Sequence, residues 1–161
     1  PQVEGLVLKD AEGRLWEAEK GLQVFAFMGA ECPISINYTL TLKQLADEFS
    51  GIPFHLVIPG PLPSDSVLNA FVRRYPMAGR VVLDPQHKLT SALGATITPE
   101  VFLWSEGEII YQGKIDDWAK GLNAKGQGTD NLYLKNAIQA RITGKAVEPA
   151  KTQAVGCIIE L

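Results

Sequence analysis

The sequence predicts an α/β fold, a mixed central sheet with helices on both faces and an N-terminal β-hairpin. Two observations predict it. Apolar runs of strand length alternate with stretches of helical apolar spacing through the middle of the chain. A hairpin pattern followed by a packing helix then closes the chain. The element order reads β, β, β, α, β, α, β, α, β, β, α.

Each element has a local reason. Leu6-Val7-Leu8 and Arg14-Leu15-Trp16 flank the turn Asp10-Ala11-Glu12-Gly13, a short hairpin. Leu22 to Phe27 is an almost unbroken apolar run of strand length. After it, Tyr38, Leu42, Leu45, Ala46 and Phe49 mark one face of a helix, which Ser50-Gly51-Ile52-Pro53 closes. Residues 54 to 58 form the next strand, and Pro59-Gly60-Pro61-Leu62-Pro63 a rigid loop. Ser64 is placed to cap a helix carrying Val67, Leu68, Phe71, Val72 and Tyr75, which Pro76 ends. Val81-Val82-Leu83 is a strand, and Leu89 and Leu93 give a short helix that Gly94 stops. Val101 to Trp104 and Ile109 to Tyr111 form a hairpin around Ser105-Glu106-Gly107-Glu108, its first strand starting at Pro99. Gly121 to Gly128 reads as a loop. Thr129 is placed to cap a last helix with Leu132, Leu134, Ala137, Ile138 and Ile142, which Gly144 ends. Residues 144–161 are then a tail carrying Cys157, outside a core of about 3–143, and the whole reads as one domain, 1–161.

Bulk properties narrow the function classes. A chain of 161 residues is long enough to bury a real core. With 46% apolar and 20% charged residues its composition is that of an ordinary globular protein. The net charge is −3, and no basic stripe with interleaved aromatics points to nucleic acid. No apolar run is long enough to span a membrane. Position 1 is Pro rather than Met, and no charged-then-apolar leader opens the chain, so a processed or trimmed form is expected. His55 and His87 are isolated, and no Cys or His cluster has metal-ligand spacing, so no metal or cofactor is expected. Trp16, Trp104 and Trp118 read as packing residues.

The sharpest chemical feature is Gly29-Ala30-Glu31-Cys32-Pro33-Ile34-Ser35. Cys32 stands where strand turns into helix, with Pro33 at the first helical position, where its missing N–H costs nothing. A thiol there faces unpaired N–H groups and the positive end of the helix dipole. Both favour the nucleophilic thiolate and lower the pKa from about 8.5. Glu31, the preceding residue, would act in the opposite sense if its carboxylate lay close. Lys114 is the nearest cation in its loop, and Asp116-Asp117 reads as a solvated turn or cap.

The chain resembles thioredoxin-fold proteins of the redoxin type, the group that holds the peroxiredoxins and the extracytoplasmic thiol–disulfide oxidoreductases. Cys32-Pro33-Ile34-Ser35 at a strand–turn–helix, Thr98-Pro99 at the position of the family's cis-proline, and the hairpin Val101 to Tyr111 carry the match. More narrowly, "ECPIS", "LGATITPEVFL", "YQGKIDD" and "VGCII" resemble a bacterial subgroup with a Cys-Pro-Ile motif and a Gly-Cys near the C-terminus.

The resemblance implies thiol–disulfide exchange, with Cys32 and Cys157 catalytic and Pro33, Ser35, Thr98 and Pro99 along a substrate groove. Partners would be protein or small-molecule thiols and disulfides. Two departures shape the expectation. The fourth motif position is Ser35, so no local disulfide can form. Phe25 and Gly29 stand where peroxiredoxins place the Pro and Thr of P-x-x-x-T-x-x-C, so peroxidase activity is expected to be weak at most. Cys157 then has three open readings. It is a resolving thiol, a permanent structural partner or a tail residue with no role. Gly156 would permit a close approach and an unusual φ. A non-enzymatic binding module, with a structural disulfide or a Cu(I) site, is the reading from another class. An exported, oxidising location would favour a disulfide, with a cytoplasmic one left open.

Overall fold

The computed structural model describes residues 2–121, 124, 125 and 129–161. Among them, β1 (Val7–Asp10) and β2 (Leu15–Glu17) form the N-terminal hairpin, and β3 (Gln23–Phe27) leads to α1 (Pro33–Asn37) and α2 (Thr39–Glu48). Then come β4 (Phe54–Pro59), α3 (Asp65–Arg74), β5 (Arg80–Asp84) and α4 (Lys88–Leu93). The short β6 (Ile97–Thr98) precedes β7 (Glu100–Ser105) and β8 (Glu108–Gly113). Two short strands, β9 (Ala119–Gly121) and β10 (Ala124–Lys125), then α5 (Tyr133–Ile142) and β11 (Cys157–Ile158), complete the order.

Seven strands form one mixed sheet in the order β2-β1-β5-β4-β3-β7-β8. The β3–β4 and β4–β5 pairs are parallel and the others antiparallel. This is the mixed-sheet α/β architecture that the sequence predicts and that the thioredoxin-fold resemblance implies.

The strands alternate faces with period two, and that alternation sorts the core. Val24 and Ala26 of β3, Leu56 and Ile58 of β4, and Val101 and Leu103 of β7 point to one side. There they meet Leu42 and Leu45 of α2, Leu68 and Phe71 of α3, and Leu134 and Ile138 of α5. Phe25, Phe27, Val57, Phe102 and Trp104 point to the other side, against Leu89 and Leu93 of α4 and the N-terminal Val3, Leu8 and Trp16. His55 shares that second layer, wedged between Trp16 and Phe25 with ring centroids 5.1 Å from each.

Several local expectations hold. The Ser64 side chain accepts from the Val67 N–H and caps α3. Gly94 adopts φ 79° at the end of α4. Others need correction. The helix after Cys32 is broken at Tyr38 into α1 and α2, where the Tyr38 N–H bonds to the Ser35 carbonyl three residues back at 3.1 Å in place of an α-helical bond. Thr129 does not cap the last helix; Leu132 holds that position without a side-chain bond. Part of the expected loop from Gly121 to Gly128 is paired, Gly121 with Ala124, and residues 122, 123 and 126–128 lie outside those described. Asp116 and Asp117 are buried rather than solvated. Asp117 accepts from the Asp130 and Asn131 N–H groups and so ties the approach to α5 back to this turn. No helix among the described residues is long and apolar enough to cross a membrane.

The segment after 143 does not hang free. The Thr152 N–H donates to the Gln112 carbonyl at 2.9 Å, and its hydroxyl accepts from the Lys114 N–H at 2.8 Å. Ala154 and Ile159 are buried, Ile159 against the second core layer. Apolar residues in the tail, rather than helix propensity, draw it across the sheet end.

Candidate functional site

The site is assembled at the C-terminal end of β3. Every residue of β3 is buried. The strand hands the chain to a turn in which the Cys32 N–H donates to the Gly29 carbonyl at 3.1 Å. Cys32 has extended backbone (φ −82°, ψ 117°) and is the N-cap of α1, with Pro33 at its first position. The Ile36 N–H donates to the Cys32 carbonyl at 3.0 Å, the first turn of the helix. Gly29 leaves the turn no room for a side chain, since a Cβ there would stand 2.9 Å from Cys32 Cβ and 3.0 Å from Thr98 Oγ1.

Cys32 and Cys157 are joined by a disulfide with Cα atoms 6.3 Å apart. Cys32 is 5% exposed and Cys157 is half-buried. The bond sits against the Thr98–Pro99 peptide, which is cis. Cys32 Sγ lies 3.4 Å from the Thr98 carbonyl oxygen. The tail is held there by more than sulfur. Strand β11 pairs antiparallel with β6, Cys157 opposite Thr98 and Ile158 opposite Ile97. The Ile159 N–H donates to the Thr96 carbonyl at 2.9 Å, and the Thr98 hydroxyl donates to the Cys157 carbonyl at 3.5 Å.

Gly156 is the close-approach glycine that its position before Cys157 suggested. A Cβ there would overlap the Thr98 carbonyl oxygen and stand 3.0 Å from Pro99 Cδ. Its φ, however, lies outside the left-handed region, so the requirement is space rather than an unusual φ.

The four groove residues fall in different places. Thr98 lines an open cleft of about 460 Å³ together with Met28, Cys32, Ile58, Leu62 and Cys157. Pro99 is buried outside that cleft, beside Tyr38 and Val155. Ser35 is fully buried, and its Oγ accepts from the Gly29 N–H at 3.0 Å, so it braces the turn and is out of reach of a substrate. Pro33 is exposed at the start of α1. Glu31 and Glu160 contribute two exposed carboxylates to the same cleft.

Two further groups support the site, Glu100 and the Tyr38–Asp116 pair, and of these Glu100 is absent from the expectations drawn from the sequence. Glu100 is buried, and its Oε1 accepts from the Thr96 N–H at 2.9 Å and the Ile97 N–H at 3.4 Å, which fixes the backbone that β11 pairs with. Burial pushes its carboxyl above the usual range, against the pull of those two N–H groups. The signal in the sequence was a charged residue opening an otherwise apolar strand directly after Thr98-Pro99. Behind the site, the Tyr38 hydroxyl donates to Asp116 Oδ1 at 2.5 Å and accepts from the Ala119 N–H at 3.2 Å. Burial, with the adjacent Asp116 carboxylate, pushes the phenol well above its ordinary value, so it stays protonated as a donor.

No group of three or more metal-ligating side chains occurs among the described residues. Chemically, the arrangement offers one disulfide at a strand–helix junction, lying between a two-residue sheet edge and an open cleft.

No protein-family model and no curated protein matches this chain. Solved structures do. A hypothetical protein from Sinorhizobium meliloti is similar with a TM-score of 0.79 at 25% identity, over 98% of this chain and 91% of its own. A conserved protein from Geobacillus kaustophilus gives 0.81 at 19% identity, over 100% and 90%. A secreted Mycobacterium tuberculosis disulfide oxidoreductase homologous to E. coli DsbE gives 0.57 at 13% identity, over 63% and 76%. These likenesses establish the thioredoxin-like fold.

Proposed function

We propose that this protein carries out thiol–disulfide exchange as a single redoxin-like domain, with Cys32 as nucleophile and Cys157 as resolving partner. The observation that carries the reading is the Cys32–Cys157 disulfide itself, seated beside Thr98 at the mouth of the cleft. A staple needs no such cleft, whereas an exchange site needs an approach to its sulfurs.

Cys32 is assigned as the attacking group because it stands at the N-cap of α1, where the helix dipole favours the thiolate. Cys157 is the better resolving group because it arrives on a terminal segment. Fold-level likeness to a secreted disulfide oxidoreductase supports the same chemistry. The Cys-Pro-Ile motif and the terminal Gly-Cys resemble those of a redoxin subgroup that carries both, which supports the same reading. An exported, oxidising compartment suits the bond, and the partners are protein or small-molecule thiols and disulfides.

The test is Cys32→Ser assayed for reduction of a disulfide substrate in the presence of a thiol donor. Activity should fall to the background of the donor alone. Full activity in this variant would remove the basis of the proposal.

A further inference from the structure

We infer that the tail occupies the place of the substrate, and that the groove prefers an extended polypeptide whose cysteine follows glycine and precedes, by two residues, an apolar residue. The inference rests on the exchange reading and adds the substrate class to it.

The tail is bound as an extended segment. Cys157 stands opposite Thr98, and backbone pairing continues through Ile158 to the bond from the Ile159 N–H to Thr96. This pairing uses main-chain atoms, so any extended segment can make it. Side-chain tolerance then differs by position. Before the cysteine, a Cβ would run into the Thr98 carbonyl and approach the Pro99 ring at Cδ, directly after the Thr96 and Ile97 N–H groups that Glu100 binds. One position after it, Ile158 is 80% exposed, so any side chain fits. Two positions after it, Ile159 is 8% exposed and packs into the core layer that contains Phe27 and Phe102, so an apolar residue is required. The three positions thus read glycine, free, apolar.

The reaction follows from the same seat. In the reduced protein the covalent tether is gone, and the Ile97–Thr98 edge opens to a substrate disulfide when the two-residue β11 pairing and the Ile159 contacts let go. The Cys32 thiolate attacks the substrate sulfur, and the group bonded to that sulfur leaves as a thiolate. A mixed disulfide joins Cys32 to the substrate. The Cys157 thiolate then attacks Cys32 Sγ, the Cys32–Cys157 bond forms, and the substrate leaves as a thiolate that takes a proton from water. Two electrons pass from the protein dithiol to the substrate disulfide. The tail regains the groove and displaces the product in the same step.

Four acetylated, amidated peptides test this, each carried as a mixed disulfide with thionitrobenzoate. They are Val-Gly-Cys-Ile-Ile, Val-Val-Cys-Ile-Ile, Val-Gly-Cys-Asn-Ile and Val-Gly-Cys-Ile-Asn. Release of thionitrobenzoate by the reduced wild-type protein is followed by absorbance, each rate normalised to that with dithiothreitol. Cys157→Ser, which traps the peptide on Cys32, gives a second series. The first and third peptides should react within about twofold of each other, and the second and fourth about tenfold or more slower. Fast but equal rates for all four would overturn the preference and leave the exchange reading standing. Rates no faster than those of an unstructured thiol would overturn both.

Discussion

Cys157→Ser is expected to lower the stability of the fold by about 5 kcal/mol in the chain-entropy model, and reduction of the wild-type protein should do the same. The bond closes a loop of sequence separation 125, so it removes a large part of the freedom of the unfolded chain. What remains to hold β11 after its loss is a two-residue pairing, the Ile159 bond to Thr96 and the burial of Ile159. The anchor at Thr152, bonded to Gln112, Lys114 and Tyr111, should persist. The loss is therefore expected in the unfolding midpoint, with local opening confined to residues after about 153 in the folded state. Urea unfolding of the oxidised protein, the reduced protein and the variant reads the first. Hydrogen exchange of the Ile159 amide against that of Thr152 reads the second. Equal midpoints for the oxidised and reduced protein would contradict this account of the tail.

Acid should destabilise the fold by about 3 kcal/mol through His55 alone between pH 6.5 and 4. The ring is 5% exposed. Its Nδ1 accepts from Trp16 Nε1 at 3.3 Å, and its Nε2 donates to Gln23 Oε1 at 3.0 Å. That pattern uses both nitrogens of a neutral imidazole and leaves no seat for a second proton. Burial, with the Arg80 charge in support, holds the pKa down to about 4. An unfolded histidine titrates near 6.5. Above pH 6.5 both states are neutral and this contribution is constant. As pH falls from 6.5 to 4 the unfolded chain binds a proton that the folded chain refuses, so stability falls. Below about 4 both are protonated and the slope vanishes.

Two other groups bound the measurement. Burial works against the ionised form of Asp10, but its bonds from Arg80 and from the Arg14 and Glu12 N–H groups outweigh that and hold its pKa low. Its contribution is present above its unfolded pKa and lost as pH falls through the folded one, so the series stops above pH 4. Glu100 has the opposite sign. Its raised pKa adds stability that is complete below the unfolded value and lost as pH rises through the folded one. Subtracting the urea midpoints of His55→Gln from those of the wild type, at pH 7 and 4.5, isolates the histidine. A variant with the same pH slope as the wild type would contradict the assignment.

What the sequence could show was set by how local the cause was. The junction at Cys32 was legible because its parts are neighbours in the chain: an apolar strand, a turn, Pro33 at the first helical position and a helical apolar stripe. The hairpins and Ser64 were legible for the same reason. The buried bond of Tyr38 was not, because its partner Asp116 lies 78 positions away and only the folded chain brings the two together. Asp116-Asp117 looked like a solvated turn because two adjacent carboxylates seldom go inside. They do so here because Tyr38 and the N–H groups of Trp118, Asp130 and Asn131 satisfy them. The motif position of Ser35 points to the groove, whereas its hydroxyl turns back to Gly29. The tail is legible only in part. Cys157 and Gly156 marked its chemistry, but a strand of two residues has too short a pattern to be seen before its partner β6 is known.

The central claim is that the Cys32–Cys157 bond opens and closes in use. Titration in glutathione redox buffers, read by alkylation and peptide mapping of both cysteines, tests it most directly. An opening potential near −200 mV or above, in the range of labile catalytic pairs, is the predicted result. A bond that stays closed well below about −300 mV would be a permanent staple and would contradict the account.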